Sequence, residues 1–214
     1  MTGHRERQKE ATRRALLATA LALFAERGYH RTTVDDIARA ASTTRVTFYA
    51  YFESRRDLMI ALLGELDVIL GRAPQPGEHG EPTSPGATDS PGAAATPLVE
   101  AVRIGTAESL GTWLRDQTAL WEASAPYVLA ATEAAAVDPE IREIHSRWFE
   151  DVIGEIVAGL DLADRHPADT RRQRGELAMA QFDHVARRWM RTPWDLDADP
   201  ALEVLTESWT KLLG

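Results

Sequence analysis

The side chains that could do chemistry in this chain are spread in a way that favours recognition over reaction. Its six histidines are scattered, it has no cysteine, and no HExxH pair, glycine-rich phosphate loop or GxSxG turn occurs. Metal-assisted, phosphoryl-transfer and acyl-transfer chemistries therefore lack an anchor. No catalytic residue, metal ligand or cofactor is expected. Charge is the first positive signal. Residues 1–60 carry 11 Arg or Lys against 7 Asp or Glu, a balance of +4, while the rest of the chain brings the total to −9. A basic beginning joined to an acidic remainder points to a nucleic-acid-facing part and a second part with another task. The second signal is aromatic. Trp113, Trp121, Trp148, Phe149, Phe182, Trp189 and Trp209 can line the space where several helices converge, and apolar cavities with few polar groups are how small-molecule sites are built. The same spacing is equally that of a packed core. Gln117 and His145 interrupt otherwise apolar stripes and could orient a ligand.

These groups need helices to position them. Leu16, Ala20, Leu23 and Phe24 recur on one face of a helix over Glu10–Glu26 that Gly28 stops. Thr33 is an N-cap with Asp36 three residues on, opening a short helix to about Ala40; Ala41 to Thr43 form a turn. Thr44 caps a third helix to about Tyr51, with Phe48 and Phe52 facing inward. Ser54 caps a fourth, from Arg55 to about Leu70, which closes at Gly71. Two short helices separated by a tight turn in basic surroundings are a helix-turn-helix, whose second helix fits the major groove of DNA.

Residues 72–97 hold six prolines, four glycines, no aromatic and no branched aliphatic residue, and read as a flexible linker. Beyond it the spacing predicts a long helix from Leu98 to about Ser124, an Ala-rich helix opened by Pro126 and ending at Val137, and a third begun by Asp138-Pro139. Further helices run from Asp169 or Thr170 to Arg191, with Leu177 on the apolar side, and from Asp199-Pro200 to the end. No alternating strand pattern appears, so the expected class is all-α. The organisation read from the sequence is 1–54 as the helix-turn-helix domain, 55–71 as a connecting helix, 72–97 as the linker and 98–214 as a helical domain. No apolar run is long enough to span a membrane, and a cytoplasmic location is the default expectation without cysteines or an apolar leader.

At this point a family is recognisable. Phe24-Ala25-Glu26-Arg27-Gly28-Tyr29, Thr33-Val34 with Ile37-Ala38, Thr47-Phe48-Tyr49-Ala50-Tyr51-Phe52, and Ser54 followed by a base and Leu58 together resemble the N-terminal domain of TetR-family transcriptional regulators. The resemblance implies a DNA-contacting set of Thr33, Thr43, Thr44, Arg45, Thr47, Tyr49 and Arg55. Within it Thr33 sits at a phosphate-contacting helix start, Arg45 and Thr47 face the groove, and Tyr49 and Arg55 touch phosphates. It departs from the family at Ser42, where Gly is usual, at Thr43 and Val46, and at Arg55, where Lys is usual. Ser42 must then hold a backbone conformation that favours glycine, at about 1 kcal/mol.

The resemblance further implies a helical C-terminal domain that dimerises and holds a small apolar effector, with Leu110, Trp113, Gln117, His145, Trp148, Phe149, Val152, Phe182 and Val185 as the ligand-facing set. Arg45 to Tyr49 with Trp148 and the closing Leu202 to Trp209 helix is similar to the mycobacterial ethionamide-regulator branch. The implied function is a homodimeric repressor released from a palindromic operator in double-stranded DNA by its effector. The alternative is a constitutive dimeric DNA-binding protein whose aromatics are core.

Overall fold

The computed structural model describes residues 2–72, 95–196 and 200–214. Among them there are ten helices and no strand: α1 (Thr2–Arg27), α2 (Val34–Ala40), α3 (Arg45–Tyr49), α4 (Arg55–Ile69), α5 (Pro97–Ile104), α6 (Ala107–Thr118), α7 (Trp121–Val137), α8 (Pro139–Leu162), α9 (Ala168–Arg191) and α10 (Ala201–Leu213). The all-α expectation holds. No described helix is long and apolar enough to cross a membrane.

The chain forms two compact units, Met1–Gly71 with Trp121–Trp148, and Arg72–Leu120 with Phe149–Gly214. These limits differ from those read in the sequence, because α7 and the first part of α8 pack with the helix-turn-helix. The reason lies in side-chain size. Ala130, Ala131, Ala134 and Ala135 of α7 are buried in the same core as Leu16, Leu17, Phe24, Phe48, Leu58 and Leu62. A face of methyl groups lets one helix backbone approach others closely, and Ala keeps its helix intact. An Ala-rich segment does not advertise that role by period alone. The bulk of the expected linker, residues 73–94, lies outside the described residues, as does Asp199.

Three helix limits differ from expectation. The first helix begins at Thr2 rather than Glu10, so the basic arm is helical. The long helix expected from Leu98 to about Ser124 is divided among three: Gly105 adopts φ 70 and ends α5, Thr106 with Ser109 forms a capping box that starts α6, and α6 stops at Thr118 before Trp121 opens α7. Pro126 lies inside α7 rather than opening it. There it removes one backbone hydrogen bond close to the helix start, where Glu122 is exposed.

In the second unit the packing is aromatic and close. Trp209 is fully buried, donates its indole N–H to the Ala178 carbonyl at 3.1 Å, and stacks on Trp113 at 5.5 Å between centroids. Gly159 of α8 lies against α5 so tightly that an added Cβ would meet Val102 Cβ at 2.7 Å and the Val99 carbonyl oxygen at 2.8 Å. Arg165, in the α8–α9 turn, donates to the carbonyls of Val102, Arg103 and Ile104 at the end of α5 and of Leu213 at the end of α10. A guanidinium satisfies the last carbonyls of two helices while meeting the negative end of each helix dipole. Leu177, expected inside, is 55% exposed; Ala178, Met179 and Gly175 carry the buried side of α9 instead.

Candidate nucleic-acid interface

The first unit builds its outward face from local signals. Thr33 accepts from the Asp36 backbone N–H at 3.2 Å, while Asp36 Oδ2 accepts from the Thr33 N–H at 3.0 Å and from its hydroxyl at 2.5 Å. Those bonds from Thr33 hold the Asp36 carboxyl below its ordinary value. After α2 the chain turns in a Schellman motif: Thr43 N–H donates to Ala38 O at 2.9 Å and Ser42 N–H to Arg39 O at 3.1 Å. Ser42 takes φ 53 at the left-handed position, as its replacement of a glycine requires. Thr44 then caps α3 by accepting from the Thr47 N–H at 3.1 Å.

Within α3 the sides are sharply divided. Phe48 is fully buried, whereas Val46 is 81% exposed and Tyr49 45% exposed. Arg45, also exposed, donates to the Tyr49 hydroxyl at 3.3 Å, pairs with Asp35 at 3.5 Å and lies over the Tyr49 ring. Its bond to the Tyr49 hydroxyl and then the charge of Asp35 hold Arg45 above its ordinary value. The set Arg45, Thr47 and Tyr49 is thus brought together on one short helix with Thr43 and Thr44 at its entry. Arg45 and Tyr49 support each other, and Arg45 spans to α2 through Asp35.

Arg55 is placed differently from the others. Its guanidinium donates to the carbonyls of Tyr29, at 2.9 Å, and Thr32, and lies 4.1 Å from the Tyr29 ring centroid. Both bonds come from Nη1 and pin the α1–α2 loop inside the unit, so that nitrogen is committed to the fold while Nε and Nη2 are not part of this contact. Burial pushes the Tyr29 phenol up, against the opposing pull of Arg55.

The face rests on a polar clasp to α7 and the α7–α8 corner. Glu133 Oε2 accepts from the Tyr29 backbone N–H at 2.9 Å. Gly28, at φ +85, makes this possible: a Cβ there would lie 2.8 Å from the same carboxylate oxygen. Arg56 donates to Asp138 at 2.8 Å and to Glu140 at 2.9 Å, and Asp138 also caps α8 by accepting from the Glu140 and Ile141 N–H groups. Tyr127 of α7 donates to Glu65 of α4 at 3.0 Å, at one wall of an open groove of about 440 Å³ whose floor is Ala18, Leu21, Ala22 and Ala25 of α1. Burial, then the Glu65 carboxylate, raises the Tyr127 phenol.

The nine ligand-facing candidates divide between the units. Leu110 and Val152 are buried, and Trp113, Gln117, Phe149, Phe182 and Val185 half-buried, in the second unit; half-buried His145 and Trp148 belong to the part of α8 in the first. Trp113 and Phe182 meet at 5.7 Å, each also against Trp209. None of the nine lines the groove on α1. Sequence reasoning missed Arg165, Glu133 and Arg56, whose partners lie between 48 and 104 positions away; no local pattern marks such residues.

Residues 16–62 match the model of the bacterial regulatory proteins of the tetR family. The regulator RutR of Escherichia coli K12 is 35% identical over 65 residues, 30% of this chain and 31% of its own length. The probable acrEF/envCD operon repressor of the same strain is 47% identical over 47 residues, 22% of this chain and 21% of its own length. Each match spans less than a third of the relative. Among solved structures, NalD of Pseudomonas aeruginosa, the secondary repressor of the MexAB-OprM multidrug efflux pump, aligns over 97% of this chain and 98% of its own with a TM-score of 0.68 at 21% identity. Residues 16–62 thus match the helix-turn-helix domain of the tetR family of bacterial regulatory proteins, and the chain as a whole shares the fold of NalD.

Proposed function

We infer that the chain is a DNA-binding transcriptional regulator, a homodimeric repressor that a small apolar effector releases from a palindromic operator. The observation that carries this is the division of α3: Phe48 anchors the helix in the core, while Arg45 and Tyr49 are exposed together and half-buried Thr47 lies against Thr44 beside them. An arginine can pair bidentately with guanine, and a tyrosine hydroxyl suits a phosphate oxygen. Thr33, Thr43 and Thr44 stand at helix starts beside this set, with Arg55 holding the loop behind it. RutR is named a transcriptional regulator and NalD a repressor, which supports binding rather than catalysis as the activity.

Two-fold dimers present two reading heads to a palindrome. Exposed Leu177 on α9 and Val204 on α10 supply apolar area for pairing two copies through those helices. The effector reading rests on the nine aromatic and apolar candidates, with Gln117 and His145 as orienting groups; an effector that prefers one of two head spacings weakens binding by its differential affinity. The ethionamide-regulator branch is supported by the run Arg45 to Tyr49 together with Trp148 and the Leu202 to Trp209 helix. A second reading, a constitutive dimer without effector, is favoured by the Trp113–Phe182–Trp209 stack, which is core packing as it stands.

The deciding experiment measures binding to DNA from the chain's own upstream intergenic region, at fixed salt, for wild type and Arg45→Ala. Roughly 10- to 100-fold weaker specific binding by the variant, with unchanged salt-dependent non-specific binding, is expected. Equal binding by both proteins would remove the regulator reading. Apolar compounds that shift tryptophan fluorescence and release the DNA would separate the repressor from the constitutive dimer.

A further inference from the structure

Val46 is the most exposed of the large apolar side chains among the described residues, at 81%. It stands second in α3, between Arg45 and Thr47, while Phe48 two positions on is fully buried. A valine so placed contributes nothing to the fold that a polar residue would not. Its isopropyl group is also β-branched, so χ1 is already restricted and little freedom is lost on contact. A helix in the major groove meets donors, acceptors and one apolar group, the 5-methyl of thymine. Arg45 beside it is held by Tyr49 and Asp35 and carries a fixed donor fork.

We propose that Val46 is a specificity-determining residue that reads a thymine methyl in each half-site, next to the base pair that Arg45 reads. The inference rests on the nucleic-acid reading of α3 and adds to it a base identity carried by an apolar contact. Continuity with that surface is what selects DNA, rather than another protein, as the occupant of this exposed side chain.

The test begins with wild-type protein selecting its site from a randomised duplex pool. Each thymine of the selected site is then replaced in turn by uracil, which removes the methyl and keeps every Watson–Crick and groove hydrogen bond. For wild type, one position per half-site is expected to lose about fivefold in affinity per replacement, the scale of one buried methyl group. Val46→Ala is expected to bind the thymine site about that much more weakly and to be indifferent to uracil at the same position. Its thermal unfolding should match wild type, since alanine suits an exposed helical position. A uracil series that is flat for both proteins, as it would be if Val46 met a protein partner instead, overturns the proposal. So does a loss at the same position that persists in Val46→Ala. A pool in which wild type enriches no sequence would instead bring down the nucleic-acid reading itself, and the two failures occur at different steps.

Discussion

Helices α2 to α4 of the first unit and α5 and α6 of the second begin in the same way, but the two units end their helices differently. Thr33, Thr44 and Ser54 each cap a helix through the backbone N–H three residues on, and Thr96 and Thr106 do the same for α5 and α6. Around α2 and α3 the ends are local as well, made by the Schellman turn at Ser42 and the short turn after Tyr49. In the second unit the ends of α5 and α10 are held by Arg165, more than 45 positions distant from either. A unit whose starts and stops are both local behaves as a module that can be recognised from its sequence. A unit whose stops depend on tertiary contacts cannot be delimited until it is folded.

The largest effect that tests this contrast is expected in the aromatic stack. Trp209 is fully buried, its N–H is satisfied by Ala178, and Trp113 and Phe182 lean on it. Trp209→Ala removes a side chain the neighbours cannot replace, and about 3–5 kcal/mol of stability should be lost. Calorimetry or thermal circular dichroism reads the loss. If the variant melts like wild type, the stack is not a core and its rings are available for a ligand, which would return weight to the effector site.

Arg165→Ala comes next. It leaves carbonyls of Val102 and Leu213 without their donor in a partly buried place, and loss of charged hydrogen bonds of this kind amounts to about 1.5–3 kcal/mol. Arg165→Lys should recover only part of the loss, because Nη1 alone reaches Val102 and Leu213, but an ammonium lacks the second nitrogen that serves Arg103 and Ile104. Ser54→Ala is the matched change in the first unit. It deletes one cap, worth about 1 kcal/mol. Urea unfolding of the three variants should rank them in that order; a Ser54→Ala loss exceeding that of Arg165→Ala would invert the contrast between local and distant control.

The same contrast explains what could be read beforehand. Thr33, Ser42, Thr44, Phe48 and Ser54 announced α2, α3 and α4 because each acts on its own neighbours, and Asp138-Pro139 announced α8 for the same reason. The break at Gly105 was invisible because an isolated glycine is tolerated in a helical pattern; it becomes a stop here with Arg165 seated on the preceding carbonyls. The alanines of α7 were legible as helix, but not as the surface that docks beneath the helix-turn-helix. On α3, the family resemblance implied Arg45 and Tyr49 as separate DNA contacts, and the structure adds that they touch. Arg55 carries the opposite lesson. A basic residue at a helix start looks outward in the sequence, and three-dimensional packing turns one end of its guanidinium, Nη1, inward onto Tyr29 and Thr32.

The smallest expected effect concerns the clasp at the α7–α8 corner and is best seen through pH. Burial pushes the Asp138 carboxyl up, but the hydrogen bond from Arg56 and those from the Ile141 and Glu140 backbone outweigh it, and the net shift is downward from 3.8. A carboxyl depressed in the folded state stabilises fully above its unfolded value and loses that contribution as pH falls through the folded one. The difference in melting temperature between wild type and Arg56→Ala should therefore be steady from neutral pH to about pH 5 and fade below about pH 4. Arg56 is itself exposed, so the difference should stay below that of Ser54→Ala. Added salt should shrink it further. A difference that instead grows as the solution is acidified would mean that Arg56 acts through some group other than Asp138, and the corner would then be held to the helix-turn-helix chiefly by Glu133 at the Tyr29 backbone.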